Sequence, residues 1–225
     1  PSLLSVAVGG VLLAASAVPR RRQSMAYAVV LAVLLFVALD TPRLRFADIA
    51  GEPEKQILHY EEDVAGVVKV ATDVYDRELL SINGWSVAGT GTPNLDVALV
   101  NDYPEVQKML AHLPALLHPD PKEALVIGFG AGGTVWSLSR HASLARIDVV
   151  EFVPGVIRAA PYFPEVNHGV LADPRVRVTI DDGRNHLLVT PRTYDVVSVD
   201  TLDPKHAGNG NLYTREFYAL SRRVL

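Results

Sequence analysis

The spacing of hydrophobic positions along this chain changes twice. Residues 2–18 and 25–39 are apolar or small and carry no charge, and Pro19-Arg20-Arg21-Arg22-Gln23 lies between them. Neither run shows the polar face of a helix packed in a soluble core. Each is slightly short of the roughly 20 residues that cross a bilayer. The pattern predicts a transmembrane helical hairpin over residues 1–40. A secretory signal would place its positive charge ahead of a single apolar run, not between two.

From residue 57 to about residue 90 the pattern shortens to β-type alternation. Residues 66–71 and 78–82 read as strands, and Asn83-Gly84 offers a tight turn into residues 85–88. These form a small antiparallel β unit. A helix follows, from Pro104 through Val106, Met109 and Leu110 to Leu113, with Pro114 as its stop. Residues 41–115 thus read as linker, β unit and connecting helix. Over residues 116–225 strands and helices alternate. Strands are expected at 124–127, 146–150, 176–180 and 194–199, with helices near 134–141 and 154–160. The first of these is fully apolar, and buried strands separated by helices imply a parallel sheet with crossovers.

Composition refines this picture. The chain is 49% hydrophobic and 20% charged, with a mean hydropathy of +0.19, and most of the apolar excess lies in the first forty residues. A net charge of -4 and a pI near 6.0 leave no basic excess, so nucleic acid is not expected as a partner. Cysteine is absent, which excludes disulfides, thiolate metal sites and cysteine nucleophiles. The seven histidines show no metal-ligand spacing, so no metal is expected. His112 reads as structural, and Trp85 and Trp136 as packing residues. The chain opens on Pro1 inside an apolar run and closes on Leu225 inside helical text. It is therefore read as a segment of a longer protein.

The candidate chemistry gathers at strand ends. Gly128-Phe129-Gly130-Ala131-Gly132-Gly133 follows the first parallel strand and opens a helix. Glycines there permit positive φ and the close approach of a ligand, or only let the helix pack on the strand. Glu151 ends the second strand, where a carboxylate can accept hydrogen bonds from ribose hydroxyls. Asp182-Gly183 ends the third, a place for an adenine edge or for a simple turn. The fourth ends in Asp200-Thr201-Leu202-Asp203-Pro204. A carboxylate there can take a proton from an amine or hold an ammonium group, or serve only in turn and cap chemistry. Beyond it, Lys205-His206 enters a glycine-rich loop that reads either as a lid or as a passive connection. Carboxyl ends of consecutive parallel strands are where open α/β sheets bind ligands, so the set points to a nucleoside pocket.

Together these pieces resemble the spermidine synthase (polyamine aminopropyltransferase) family. The likeness rests on Val126-Ile127-Gly128-Phe129-Gly130-Ala131-Gly132-Gly133-Thr134-Val135, Val150-Glu151-Phe152, Tyr162-Phe163-Pro164, Asp173-Pro174-Arg175-Val176 and Asp182-Gly183. It continues through Tyr194-Asp195-Val196-Val197 to Asp200 and Asp203-Pro204, and through Leu212-Tyr213-Thr214-Arg215-Glu216-Phe217-Tyr218, and it spans residues 57–225. With the apolar hairpin ahead of it, the chain is similar to the membrane-fused bacterial type.

The resemblance implies a Rossmann-like α/β fold of the class I S-adenosylmethionine-dependent methyltransferase type. It also implies aminopropyl transfer from decarboxylated S-adenosylmethionine to a diamine such as putrescine, and it leaves room for a homodimer. On this likeness Asp200 is the general base and Asp203 helps hold the amine. Gly128, Gly130, Gly132, Glu151, Asp182 and Gly183 bind the donor, and Tyr213 contacts the amine.

Departures from the family pattern keep other readings open. Ala131 stands where the family has an aspartate that grips the donor's aminopropyl nitrogen. Val106 and Lys108 stand where it has a Tyr-x-Glu element, while Tyr103-Pro104-Glu105 repeats that text three residues earlier. Tyr103 and Glu105 are therefore expected to serve from a shifted start. The alternatives are a methyltransferase-like enzyme using ordinary S-adenosylmethionine and a nucleoside-sensing domain of a membrane transporter. Membrane lipid is the partner expected for the hairpin. The arginine loop favours the cytoplasm, which would send the domain outward, although Arg43 and Arg45 partly balance it. An adenosyl-dependent domain belongs on the cytoplasmic side of the inner or plasma membrane, and that is the expected place.

Overall fold

A computed structural model describes residues 54–90, 103–200 and 209–225, all within one compact unit, Ile49–Leu225. The hairpin expected over residues 1–40 lies outside the described residues. Among the described residues, no helix is long and apolar enough to cross a membrane.

The first layer is a four-stranded antiparallel sheet of β1 (Glu54–Asp63), β2 (Gly66–Asp73), β3 (Glu78–Ile82) and β4 (Trp85–Gly89), paired in that order. Asn83 and Gly84 take φ values of 52° and 83°, the paired left-handed conformation of a two-residue hairpin turn. The Asn83 side chain locks it by accepting a hydrogen bond from the Val67 amide at 2.9 Å. Trp85, expected to pack, stands directly after that turn and is 62% exposed.

The second layer is parallel. Strands β5 (Glu123–Ile127), β6 (Arg146–Glu151), β7 (Val176–Ile180) and β8 (Val196–Val199) lie in the order β7-β6-β5-β8. The chain steps outward from β5 to β6 and β7, then returns to add β8 on the other side of β5. This Rossmann-like reversal opens a crevice at the carboxyl ends of β5 and β8. The crossovers are helical: α2 (Gly133–Ser139) after β5, α3 (Pro154–Ala159) and α4 (Pro164–Asn167) after β6, and α5 (Gly183–Val189) after β7. Helix α6 (Arg215–Val224) follows β8, with Thr214 Oγ1 capping the Phe217 amide. Val68, Val70, Leu80 and Ala88 of the antiparallel sheet share one buried cluster with Val126, Val149 and Phe163.

Helix α1 (Tyr103–Leu117) joins the layers. The sequence places its stop at Pro114, but the helix continues through that residue to Leu117. A proline inside a helix leaves the carbonyl four residues earlier without its amide partner. That carbonyl belongs to Leu110, and Ser198 Oγ of β8 donates to it at 3.1 Å. The strand supplies the bond the proline cannot make, so the helix does not have to end. Further along, a ring nitrogen of His112 meets one of His141, which follows α2, at 2.9 Å, in keeping with a structural role.

A double-mutant cycle checks this substitution of partners. Ser198→Ala should destabilise the fold by about 1 kcal/mol in urea unfolding, because it orphans a partly buried carbonyl. In a Pro114→Ala background, where an amide is restored at that place, most of the cost should vanish. Additive costs would show that the two residues do not share one acceptor.

Candidate active site

The glycine turn between β5 and α2 is shaped by internal packing. Gly128, Gly130 and Gly132 all have positive φ, of 90°, 55° and 90°. A Cβ on Gly132 would stand 2.6 Å from Phe129 Cζ and 2.8 Å from Asn167 Cβ. One on Gly130 would stand 3.0 Å from Gln107 Nε2 and 3.9 Å from Asp200 Oδ2. The bare turn thus leaves space for the Gln107 amide to reach across from α1.

Glu151, at the tip of β6, braces the same turn from the other side. Its Oε2 accepts from the Phe129 amide at 2.9 Å and its Oε1 from the Val153 amide at 2.8 Å. Burial pushes its carboxyl above the usual range, and these backbone bonds oppose the shift.

Asp200 follows β8 and is 8% exposed. Its amide donates to the Ile127 carbonyl at 2.8 Å, which fixes it across the crevice from the glycine turn. Its Oδ2 accepts from Thr134 Oγ1 at 2.9 Å and from Gln107 Nε2 at 3.1 Å. Burial pushes the Asp200 carboxyl up to about 7; the Thr134 and Gln107 bonds pull it down and the Glu151 charge adds to the rise. A carboxylate with that proton affinity is matched to taking a proton near neutral pH.

Gln107 and Thr134 were not among the residues singled out from the sequence. A signal for Gln107 existed: with Ala111 and Ala115 it forms a stripe at four-residue spacing, and all three are buried. A glutamine on the small, inward face of a helix needs a buried partner, and Asp200 is that partner.

The remaining expected residues fall in different places. Asp182 caps α5, its Oδ1 accepting from the Arg184 and Asn185 amides at 2.8 and 3.0 Å. Gly183 packs so tightly on β5 that a Cβ would lie 2.3 Å from Ile127 Cγ2. Between this tip and Glu151 lies an apolar surface, since Ile180 pairs with Glu151 and both Ile180 and Phe152 are about half exposed. Glu105 sits on the outer face of α1 in an ion pair with Lys108. Both are therefore turned to solvent while Gln107 faces Asp200. Ala131 is fully buried. Tyr213 ends a 3₁₀ turn, Asn209–Tyr213, and is 39% exposed. The Tyr103 side chain, Asp203, Lys205 and His206 lie outside the described residues. Among those described, Gly128, Gly130, Gly132, Glu151 and Asp200 come together, and Asp182-Gly183 stands at the neighbouring strand tip.

The raised Asp200 carboxyl has a thermodynamic signature. In the pH range between the unfolded value near 4 and the folded value of about 7, the native state holds a proton that the unfolded state has lost. Stability therefore falls as pH rises through that window. Asp200→Asn should be more stable than the parent at pH 8 by about 2–4 kcal/mol, and the gap should close toward pH 4. Chemical unfolding across pH checks this; a gap independent of pH would contradict the assignment.

Comparison with known proteins fits this architecture. The spermine/spermidine synthase domain family matches residues 104–225. A polyamine aminopropyltransferase from Moorella thermoacetica is 36% identical over 192 residues, covering 84% of this chain and 62% of that protein. One from Bacillus subtilis is 38% identical over 112 residues, half of this chain and 40% of the relative. The chain thus spans less than two thirds of either relative's length. Among solved structures, a spermidine synthase in complex with the transition-state analogue AdoDATO superposes with a TM-score of 0.65 at 25% identity, over 76% of this chain and 55% of that one. The spermidine synthase from Thermotoga maritima gives 0.63 at 25% identity, over 76% and 54%. With more than half of its residues in the family match, and the crevice carboxylates at the strand ends of that matched span, the chain belongs to the spermine/spermidine synthase domain family.

Proposed function

We propose that this domain transfers an aminopropyl group from decarboxylated S-adenosylmethionine to a diamine such as putrescine, with Asp200 as the general base. The observation that carries the reading is a buried carboxyl, raised to about 7, at the reversal between β5 and β8. An alkylammonium has a pKa of about 10 and must lose a proton before its nitrogen can attack. Among the described residues, Asp200 is the group in the crevice suited to accept it.

The residues at the neighbouring strand tips fit an adenosyl donor. The Glu151 oxygens accept from backbone amides, Phe129 on Oε2 and Val153 on Oε1. A carboxylate has further lone pairs, which suit ribose hydroxyls. Phe152 and Ile180 offer apolar walls for a purine, and Asp182 keeps an oxygen that makes no capping bond. When bound, the donor supplies a sulfonium-activated carbon whose thioether leaves readily. The protein's part is to hold the amine in line and to remove its proton. Asp203 and Tyr213, with Tyr103 at the start of α1, are proposed to hold the diamine. Glu105 is left out of this group because its partner is Lys108 on the outer face.

A second reading, transfer of a methyl group from ordinary S-adenosylmethionine, is favoured by Ala131. This neutral, buried side chain neither grips a donor amine nor repels a donor carboxylate. The uncharged runs at residues 2–18 and 25–39 support a membrane tether for the domain, and the need for an adenosyl donor is what supports the cytoplasmic face of the inner or plasma membrane.

Calorimetric titration of the full-length protein with each sulfonium compound, followed by product analysis with putrescine, separates the readings. Binding of the decarboxylated donor with spermidine formed is expected; preference for the carboxylated donor would favour methyl transfer. Asp200→Asn should lower turnover by about 10²–10⁴-fold while leaving donor affinity intact. Unchanged turnover would remove Asp200 from its role.

A further inference from the structure

Asp200 is held by one of its two oxygens. Thr134 Oγ1 and Gln107 Nε2 both donate to Oδ2, and among the described residues nothing is hydrogen-bonded to Oδ1. The Thr134 hydroxyl carries a single proton yet faces two acceptors, Asp200 Oδ2 at 2.9 Å and the Gln107 backbone carbonyl at 3.2 Å. It can serve one at a time. Gln107 thus closes a small ring, meeting Asp200 with its amide nitrogen and Thr134 with its carbonyl. The far side of its amide is fixed by packing: Oε1 is buried without a partner, 2.5 Å from where a Gly133 Cβ would lie. The reverse orientation would press Oε1 against the carboxylate.

We propose that Gln107 and Thr134 are positioning residues that reserve Oδ1 of Asp200 for the incoming amine proton. The inference rests on the reading of Asp200 as general base. With two donors on Oδ2, the proton from the amine ends on Oδ1. The N–H bond breaks, the Oδ1–H bond forms, and the nitrogen lone pair makes the new N–C bond. The C–S bond breaks, and its electron pair leaves with the thioether. Once Asp200 is neutral, Oδ2 holds the Thr134 hydroxyl less strongly, and that hydroxyl can turn to the Gln107 carbonyl. Loss of the proton to solvent after product release reverses the turn. Among the described residues, the charged group facing Asp200 is Glu151, from the tip of β6. Helix α1 presents its Glu105–Lys108 pair on the opposite face, and α2 and β5 present no charge toward it.

The test is the titration of the Asp200 carboxyl in the full chain, followed by ¹³C NMR with aspartate label and assigned with Asp200→Asn. Thr134→Val and Gln107→Met each remove one donor, and each should raise the Asp200 midpoint by about 1 pH unit. The acid limb of kcat against pH should move up with it, at unchanged KM for the amine. Thr134→Ser keeps the hydroxyl and should restore the parent midpoint. Midpoints unmoved in both donor deletions, or a serine variant that behaves like valine, would overturn the proposal. If either deletion fails to fold, the other still decides, since both act on Oδ2. Full turnover in Asp200→Asn would instead sink the base assignment, and the titration would still report on the positioning.

Discussion

A carboxyl group that is nearly excluded from water must be answered by donors, and the surroundings of Asp200 are organised around that requirement. The donors come from two different helices, Gln107 on α1 and Thr134 on α2, while its amide is tied to the Ile127 carbonyl on β5. These bonds link the connecting helix, the first crossover helix and the two central strands at one point. The glycine turn then has a structural reason independent of any ligand. A side chain at residue 130 would push into the Gln107 amide, and one at residue 132 into Phe129 and Asn167.

Glu151 repeats the theme at the next strand tip. It too is buried and pushed upward, and its two oxygens are occupied by backbone amides rather than by a cation. The Glu151 charge adds to the proton affinity of Asp200, since like charges disfavour double ionisation. Two differently bonded acids permit different work. One with its oxygens on backbone amides is fixed as an acceptor. One with an oxygen left open is able to exchange a proton.

Much of this arrangement was legible in the chain. The parallel strands follow from short β-type runs separated by helical text, of which only that of β5 is wholly apolar over residues 124–127. Asn83-Gly84 marks the hairpin that the backbone adopts. Strand-end positions alone brought Glu151 and Asp200 into the same crevice. Pro114 misled because its effect on α1 is compensated from β8, a long-range partner that no local rule contains. Gln107 was hidden by the competing pull of Glu105, whose text matches a pattern but whose side chain lies on the outer face. Only the periodicity with Ala111 and Ala115 distinguishes the two faces. Asp182 shows the opposite case, where a helix-capping role that the sequence reading did not assign and the expected strand-tip position hold for one residue.

The central claim is that Asp200 presents a free oxygen to a substrate amine while its other oxygen stays bound to Thr134 and Gln107. A crystal structure of the full-length protein with an adenosyl thioether and a diamine bound tests it most directly. The account predicts the diamine nitrogen within hydrogen-bond distance of Asp200 Oδ1, with ribose hydroxyls on Glu151. A diamine nitrogen held elsewhere, or an adenosyl group bound away from the tips of β5, β6 and β8, would contradict it.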